Sequence, residues 1–249
     1  MSSAARAAML ALFHSVRDQQ RGASAAELAQ PGSPSEQAER ASHEAWGRVA
    51  AIANASPARA QYACAKGCSW CCHQPVLISA GEAITIAAHL RHELTATGQT
   101  QAGEALAARA RRVGHADWDT TWLRERWSCA FLSREGTCSI HAVRPAVCRG
   151  YHSISRTACE DWYVGDSTRV PIDRVSHMGG NGVLHGMIEA ARAVGRDDHL
   201  YELHSSVLFA LSDPDSAWRW AEGKDPFPGI WRMPLTTAPT EPVKPHAGV

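Results

Sequence analysis

The stretch Cys64-Ala-Lys-Gly-Cys68-Ser-Trp-Cys71-Cys72 places four thiols within nine residues. Core packing gives no reason for such a run, and Gly67 lets the backbone turn inside it. A second set follows at Cys129, Cys138, Cys148 and Cys159, so all eight cysteines of the chain lie between 64 and 159. Thiolate is a soft ligand that suits zinc, Cu(I) or iron–sulfur clusters and disfavours magnesium or calcium. The x3 and x2 steps of Cys64, Cys68 and Cys71 let neighbouring sulfurs converge. Cys129, Cys138, Cys148 and Cys159 would close the coordination and staple two distant segments together. Disulfides are the other use of eight cysteines, but such frameworks belong mainly to small loop-rich secreted domains. This chain is long, alanine-rich and helical outside the cluster, and adjacent Cys71 and Cys72 would have to bridge to different partners. The ligand set read from the sequence is therefore Cys64, Cys68, Cys71, Cys72, Cys129, Cys138, Cys148 and Cys159, holding zinc or an iron–sulfur cluster.

A four-thiolate zinc carries net negative charge, so cations are expected beside it. Lys66, Arg144 and Arg149 sit where they can neutralise sulfur charge or donate hydrogen bonds to it. His73, His141 and His152 lie next to the cysteines as alternative nitrogen ligands, though a lone histidine is more often a surface or hydrogen-bonded residue. His89-x-x-His92-Glu93 lacks the i,i+4 histidine pair of a helical zinc motif. Gly179-Gly180-Asn181-Gly182 lacks the Gly-Lys-Ser/Thr of a nucleotide loop and reads as a turn. No catalytic residue or cofactor-binding fingerprint is identified.

Composition narrows the classes. Lys+Arg 25 against Asp+Glu 25 leaves no net charge over 249 residues, and the basic residues form no run. Nucleic acid is therefore not an expected partner. No stretch approaches the ~20 apolar residues of a membrane span. His14, Arg17 and Asp18 interrupt the apolar start, which reads as an amphipathic helix rather than a signal. A cytoplasmic location is expected, with the metal ion as the one identified partner.

These residues must be positioned by a mostly α scaffold. Helices are expected over 3–20 and about 35–54, with Gly22 to Pro34 as a loop between them. Gln74 to Ile78 reads as extended, and Ser79 with Glu82 forms a capping box that starts a helix running to about 96. A weaker helix is expected over 101–113. Trp118, Trp122, Trp127 and Trp162, around the second cysteine group, are read mainly as core. Val183 to Val194 forms an apolar stripe ending at Gly195. Asp197 or Asp198 is expected to cap a further helix through Leu211, the two helices making an antiparallel pair. The expected organisation is a helical extension over 1–62, a cysteine-cluster region over 63–165, the helical pair over 166–235, and a disordered tail over 236–249. In fold class this is a loop-rich metal-cluster core flanked by helices, with little β.

Several separated blocks carry a resemblance. Cys64-x3-Cys68-x2-Cys71-Cys72, Cys129-x-Phe131-Leu132, Gly136-x-Cys138-Ser139-Ile140 and Arg144-Pro145-x-x-Cys148-Arg149 resemble the YkgJ-like cysteine-cluster family, the CxxCxxCC domain, over about 64–160. That family is regarded as a zinc- or iron-chelating module, so the resemblance implies metal binding. Ala130 stands where the family often has Pro, and His141 where it often has Tyr. Flagellin lysine N-methylases are similar to this family in their cysteine cluster. Cys64-x3-Cys68-x2-Cys71 is also the spacing by which radical SAM enzymes hold a [4Fe–4S] cluster. The resemblance thus implies SAM-dependent methyl transfer as an alternative function. Against it, the motif follows two helices and no alternating strand–helix pattern succeeds it. A third class is metal trafficking or sensing, with a protein-partner surface on the Val183–Leu211 helices.

Overall fold

The structure is a computed structural model that describes residues 2–114, 117–165 and 169–235; the tail expected over 236–249 lies outside them. Among the described residues the chain forms ten α-helices and one three-stranded sheet, so it is mostly α. Helices α1 (Ser3–Leu28) and α2 (Pro34–Ala55) come first. Strand β1 (Leu77–Ser79) leads directly into α3 (Ala80–Glu93), followed by α4 (Ala96–Ala110) and α5 (Trp118–Glu125). Two short helices, α6 (Ala146–Gly150) and α7 (Arg156–Val164), carry Cys148 and Cys159. The chain then runs through α8 (Arg174–Ala193), strand β2 (His199–Glu202), α9 (Leu203–Ser212), α10 (Ser216–Ala221) and strand β3 (Arg232–Pro234).

The expected loop from Gly22 is instead helix as far as Leu28. Ser24 and Leu28 are buried, and that burial outweighs the local cost of Gly22 in a helix. α1 packs along α8, and the glycines of α8 explain how closely. A Cβ at Gly182 would stand 3.0 Å from the Phe13 carbonyl, and one at Gly186 would stand 2.5 Å from that of Arg17. Gly179-Gly180-Asn181-Gly182, expected as a turn, is therefore the interior of α8, where missing side chains make room for Ile52 of α2, Gly150 of α6 and Phe13 of α1.

The sheet corrects a second expectation. Residues 199–202 form the central strand of an antiparallel sheet ordered β1-β2-β3, with Leu77 opposite Glu202 and Leu200 opposite Met233. Asp197 caps no helix. It accepts from the Tyr201 hydroxyl at 2.9 Å, and Glu202 caps α9 instead. The expected antiparallel pairing of the last helices gives way to different partners: α8 packs on α1, α2 and α6, while α9 packs on α3 and α4. The stripe of Val183, Leu184, Met187 and Ile188 is buried, so it is core rather than a free partner surface.

The Ser79–Glu82 capping box forms as expected, with Ser79 Oγ accepting from the Glu82 N–H at 3.2 Å. Trp118 and Trp122 are core, as are Ile78, Ile84, Ile86 and Leu203, which join the sheet to α3 and α9. No helix of the described residues is long and apolar enough to cross a membrane.

Candidate metal centre

Three segments bring the cysteines together, and backbone hydrogen bonds tie them. The Cys129 N–H donates to the Cys72 carbonyl at 2.7 Å, and the Ala63 N–H donates to the Ser153 carbonyl at 2.9 Å. The Ser153 N–H donates in turn to Cys64 Sγ at 3.4 Å. Cys138 ends a tight loop in which the Ser139 N–H reaches the Phe131 carbonyl at 2.8 Å. Gly136 turns that loop at φ 72°, and Gly67 turns the first cysteine run at φ 85°. The two turns touch: a Cβ on Gly136 would stand 3.0 Å from the Gly67 carbonyl oxygen.

The helical scaffold aims the remaining cysteines. Glu82, fully buried at the start of α3, accepts from the Ala146 N–H at 2.8 Å and from Trp46 Nε1 at 3.0 Å. It thereby holds the N-terminus of α6, two residues before Cys148. Buried Cys159 lies on α7, whose Tyr163 packs on Trp70 and His73 with ring centroids 5.0 and 4.6 Å apart. Arg126 secures the end of α7 by donating to the carbonyls of Trp162 and Tyr163 at 3.0 and 2.9 Å.

All eight cysteines are free thiols; Cys64 and Cys71 are exposed, Cys159 is buried, and the rest are half-buried. Their acidities reveal two neighbourhoods. Burial pushes Cys159 up, and the charges of Cys64, Cys68 and Cys71 add to it. Burial also raises Cys64, reinforced by Cys71 and Cys68. On the other side burial pushes Cys148 well above its ordinary value, with Cys129, Cys71 and Cys138 opposing its ionisation further. Cys138 is raised by burial and then by Cys129 and Cys71. Cys71 belongs to both neighbourhoods, and it is itself raised first by its hydrogen bond with Cys72.

Of the expected cations, Arg144 acts most widely: its charge favours the thiolates of Cys64, Cys71, Cys138 and Cys148. Its Nε is buried without a hydrogen-bond partner. Arg149 donates instead to the carbonyls of His141, Ala142 and Arg144 and lies over the Trp46 ring at 5.2 Å, so it braces the loop that carries Arg144. Lys66 is exposed on the first loop.

The histidines separate. His152 stacks on Tyr62 at 4.4 Å and bonds Ser176 Oγ at 2.9 Å. His141 is exposed, whereas His73 is buried and its Nδ1 has no partner. Burial lowers the pKa of His73 and favours its neutral form.

One histidine carries no sequence signal. His204, the second residue of α9, is fully buried and bonds Glu202 Oε1 through Nδ1 at 2.5 Å. Its Nε2 lies 3.3 Å from Cys129 Sγ and 3.1 Å from the Ala130 nitrogen, whose N–H donates to it. Burial disfavours the imidazolium, but the Glu202 and Cys129 charges outweigh it and push His204 up to about 10. Burial likewise opposes ionisation of Glu202, yet His204 and the bonds from its own turn hold the carboxyl below its usual range. A proton on Nε2 would serve the sulfur, and a lone pair there serves the amide. In either state Nδ1 keeps its proton toward the carboxylate.

Among the described residues no group of three or more His, Cys, Asp or Glu side chains is drawn together tightly enough to enclose an ion as it stands. The donor set nevertheless fits a soft cation. Clustered thiols raise one another's pKa, the half-buried Arg144 favours the thiolate of Cys148 but not that of Cys159, and a buried imidazole nitrogen stands unpartnered.

No curated protein and no solved structure matches the chain. Residues 63–167 match the model of the CxxCxxCC family, described as "Putative zinc- or iron-chelating domain". The segment that ties these thiols together is thus the part of the chain that is similar to the CxxCxxCC domain.

Proposed function

We propose that the protein binds zinc or iron through a thiolate centre built from two cysteine neighbourhoods. Cys64, Cys68 and Cys159 form one and Cys129, Cys138 and Cys148 the other, with Cys71 and Cys72 at the seam. The observation that carries this reading is the contact between the cysteine segments: the Cys129 N–H bonds the Cys72 carbonyl at 2.7 Å, the Ser153 N–H bonds Cys64 Sγ at 3.4 Å, and the Gly67 and Gly136 turns touch. A bound metal would supply the positive charge the sulfurs lack and join loops that are distant in sequence. Arg144 would balance remaining sulfur charge, and Arg149 would hold the Arg144 loop in place.

The exposure of Cys64 and Cys71 supports a second reading, metal trafficking or sensing, because an exchangeable ion needs sulfurs that an incoming donor can reach. The SAM-dependent methyl-transfer reading finds less support: the described sheet is three short antiparallel strands, whereas a barrel alternates parallel strands with helices.

Metal and sulfide analysis of anaerobically purified protein tests the proposal. Colourless protein with zinc supports a closed site, and brown protein with acid-labile sulfide supports a cluster. Protein without metal overturns both. Cys68→Ser should lose metal and stability together; unchanged metal content and folding would remove the first cysteine group from the ligand set.

A further inference from the structure

The pair His204–Glu202 lies outside the matched residues 63–167, yet it touches the cysteine cluster. We propose that His204 Nε2 is a nitrogen ligand of the metal centre at its Cys129 side, oriented by Glu202. The inference rests on the metal-centre reading above.

Three observations place it. First, Nε2 stands 3.3 Å from Cys129 Sγ, close to the separation expected of two donors that share one ion. Second, Nδ1 is bound to a carboxylate, which fixes the tautomer and leaves Nε2 to act as donor; ligating histidines are commonly held this way. Glu202 is itself held, since Ser205 N–H and Oγ both donate to its Oε2 at 2.8 and 2.9 Å. Third, the ring cannot swing elsewhere. It is stacked on Trp122, with centroids 5.2 Å apart, and lies against Phe131 at 6.1 Å.

Glu202 caps α9 through Oε2, and its other oxygen, Oε1, is held against His204 Nδ1. The groups that face Nε2 are the Cys129 sulfur and the Ala130 amide, both from the second cysteine segment. An ion bound at Cys129 would take the lone pair from that amide. Cys138, in the same loop as Cys129 through the Leu132–Cys138 bridge, and Cys148 on α6 would supply the other sulfurs of a three-sulfur, one-nitrogen set of the kind zinc accepts.

The test uses the full chain loaded with zinc alone. X-ray absorption at the zinc edge should show sulfur at about 2.3 Å together with an imidazole nitrogen at about 2.0–2.1 Å. The nitrogen signal should disappear in His204→Gln, in which the sulfur signal persists. An all-sulfur spectrum, or a nitrogen signal that survives H204Q, overturns the assignment and reduces His204 to a support for the Cys129 loop. Should H204Q fail to fold, Glu202→Gln provides the second measurement: zinc affinity in chelator competition should fall about 10–100-fold, and unchanged affinity overturns the proposal. Failure of the wild-type chain to bind zinc or iron at all sinks the metal-centre reading itself. Zinc held by sulfur alone sinks only the role of His204.

Discussion

The backbone N–H of Ala146 donates to Glu82 Oε1 at 2.8 Å, across 64 residues of sequence. The same oxygen accepts from Trp46 Nε1, and the other carboxylate oxygen accepts from Ser79 N–H and Oγ. One buried side chain thus caps α3, anchors α2 and holds the helix that carries Cys148. Glu202 does the corresponding work at the start of α9, through His204 to Cys129. Since β1 and β2 are paired with Leu77 opposite Glu202, the small sheet fixes the starts of both helices and so the spacing of both anchors.

Glu82→Ala should leave the Ala146 and Trp46 donors buried without partners. A loss of about 3 kcal/mol is expected from the cost of unsatisfied buried groups, read by denaturant unfolding. Glu82→Gln keeps an acceptor oxygen and should lose less. Equal stability of E82A and wild type would show that α6 is held by something else.

Gly136→Ala tests the seam between the two cysteine loops. Its φ of 72° and the Gly67 carbonyl 3.0 Å from the new Cβ both oppose a side chain. A cost of about 1–2 kcal/mol is expected from the backbone conformation alone. Weaker metal retention in chelator competition should accompany it, because the loops that present Cys68 and Cys138 would separate.

Two glycine substitutions of the same kind should have opposite signs. Gly186→Ala would push a Cβ to 2.5 Å from the Arg17 carbonyl and 2.6 Å from Gln20 Cβ, prying α8 from α1 at about 1–3 kcal/mol. Gly22→Ala, in the middle of α1 with nothing within 4 Å, should stabilise by about 0.5–1 kcal/mol. Thermal unfolding of both variants checks the pair.

Metal uptake should depend steeply on pH. Burial and neighbouring sulfurs raise the thiol pKa values of Cys64, Cys138, Cys148 and Cys159, so these groups are protonated in the free protein at neutral pH and must lose protons to bind. Affinity should therefore rise with pH below those raised values, by about tenfold per pH unit for each proton displaced. Zinc competition at two pH values, with proton release measured alongside, gives the slope. A flat profile would mean that the thiols are not the groups being displaced.

The donor chemistry proposed for this chain is legible before any fold is known, because eight thiols in two groups are a property of composition and spacing. The elements whose signals are local were legible too: the Ser79–Glu82 capping box, the helix expected over about 35–54 and found at Pro34–Ala55, and the extended stretch expected over 74–78, of which Leu77–Ser79 is strand. What depends on distant partners was settled only in three dimensions. Gly179, Gly180 and Gly182 look like a turn until α2, α6 and α1 lie against them in that order. Residues 199–202 look like part of a helix until β1 and β3 flank them. Glu202-Leu203-His204 carries no motif at all. Its chemistry exists only because α9 packs beside the Cys129 loop, where Trp122, Phe131 and a cysteine sulfur meet the ring. Periodicity and capping are written within a few residues, whereas a buried acid and the group it serves are brought together by tertiary packing, which short-range patterns do not encode.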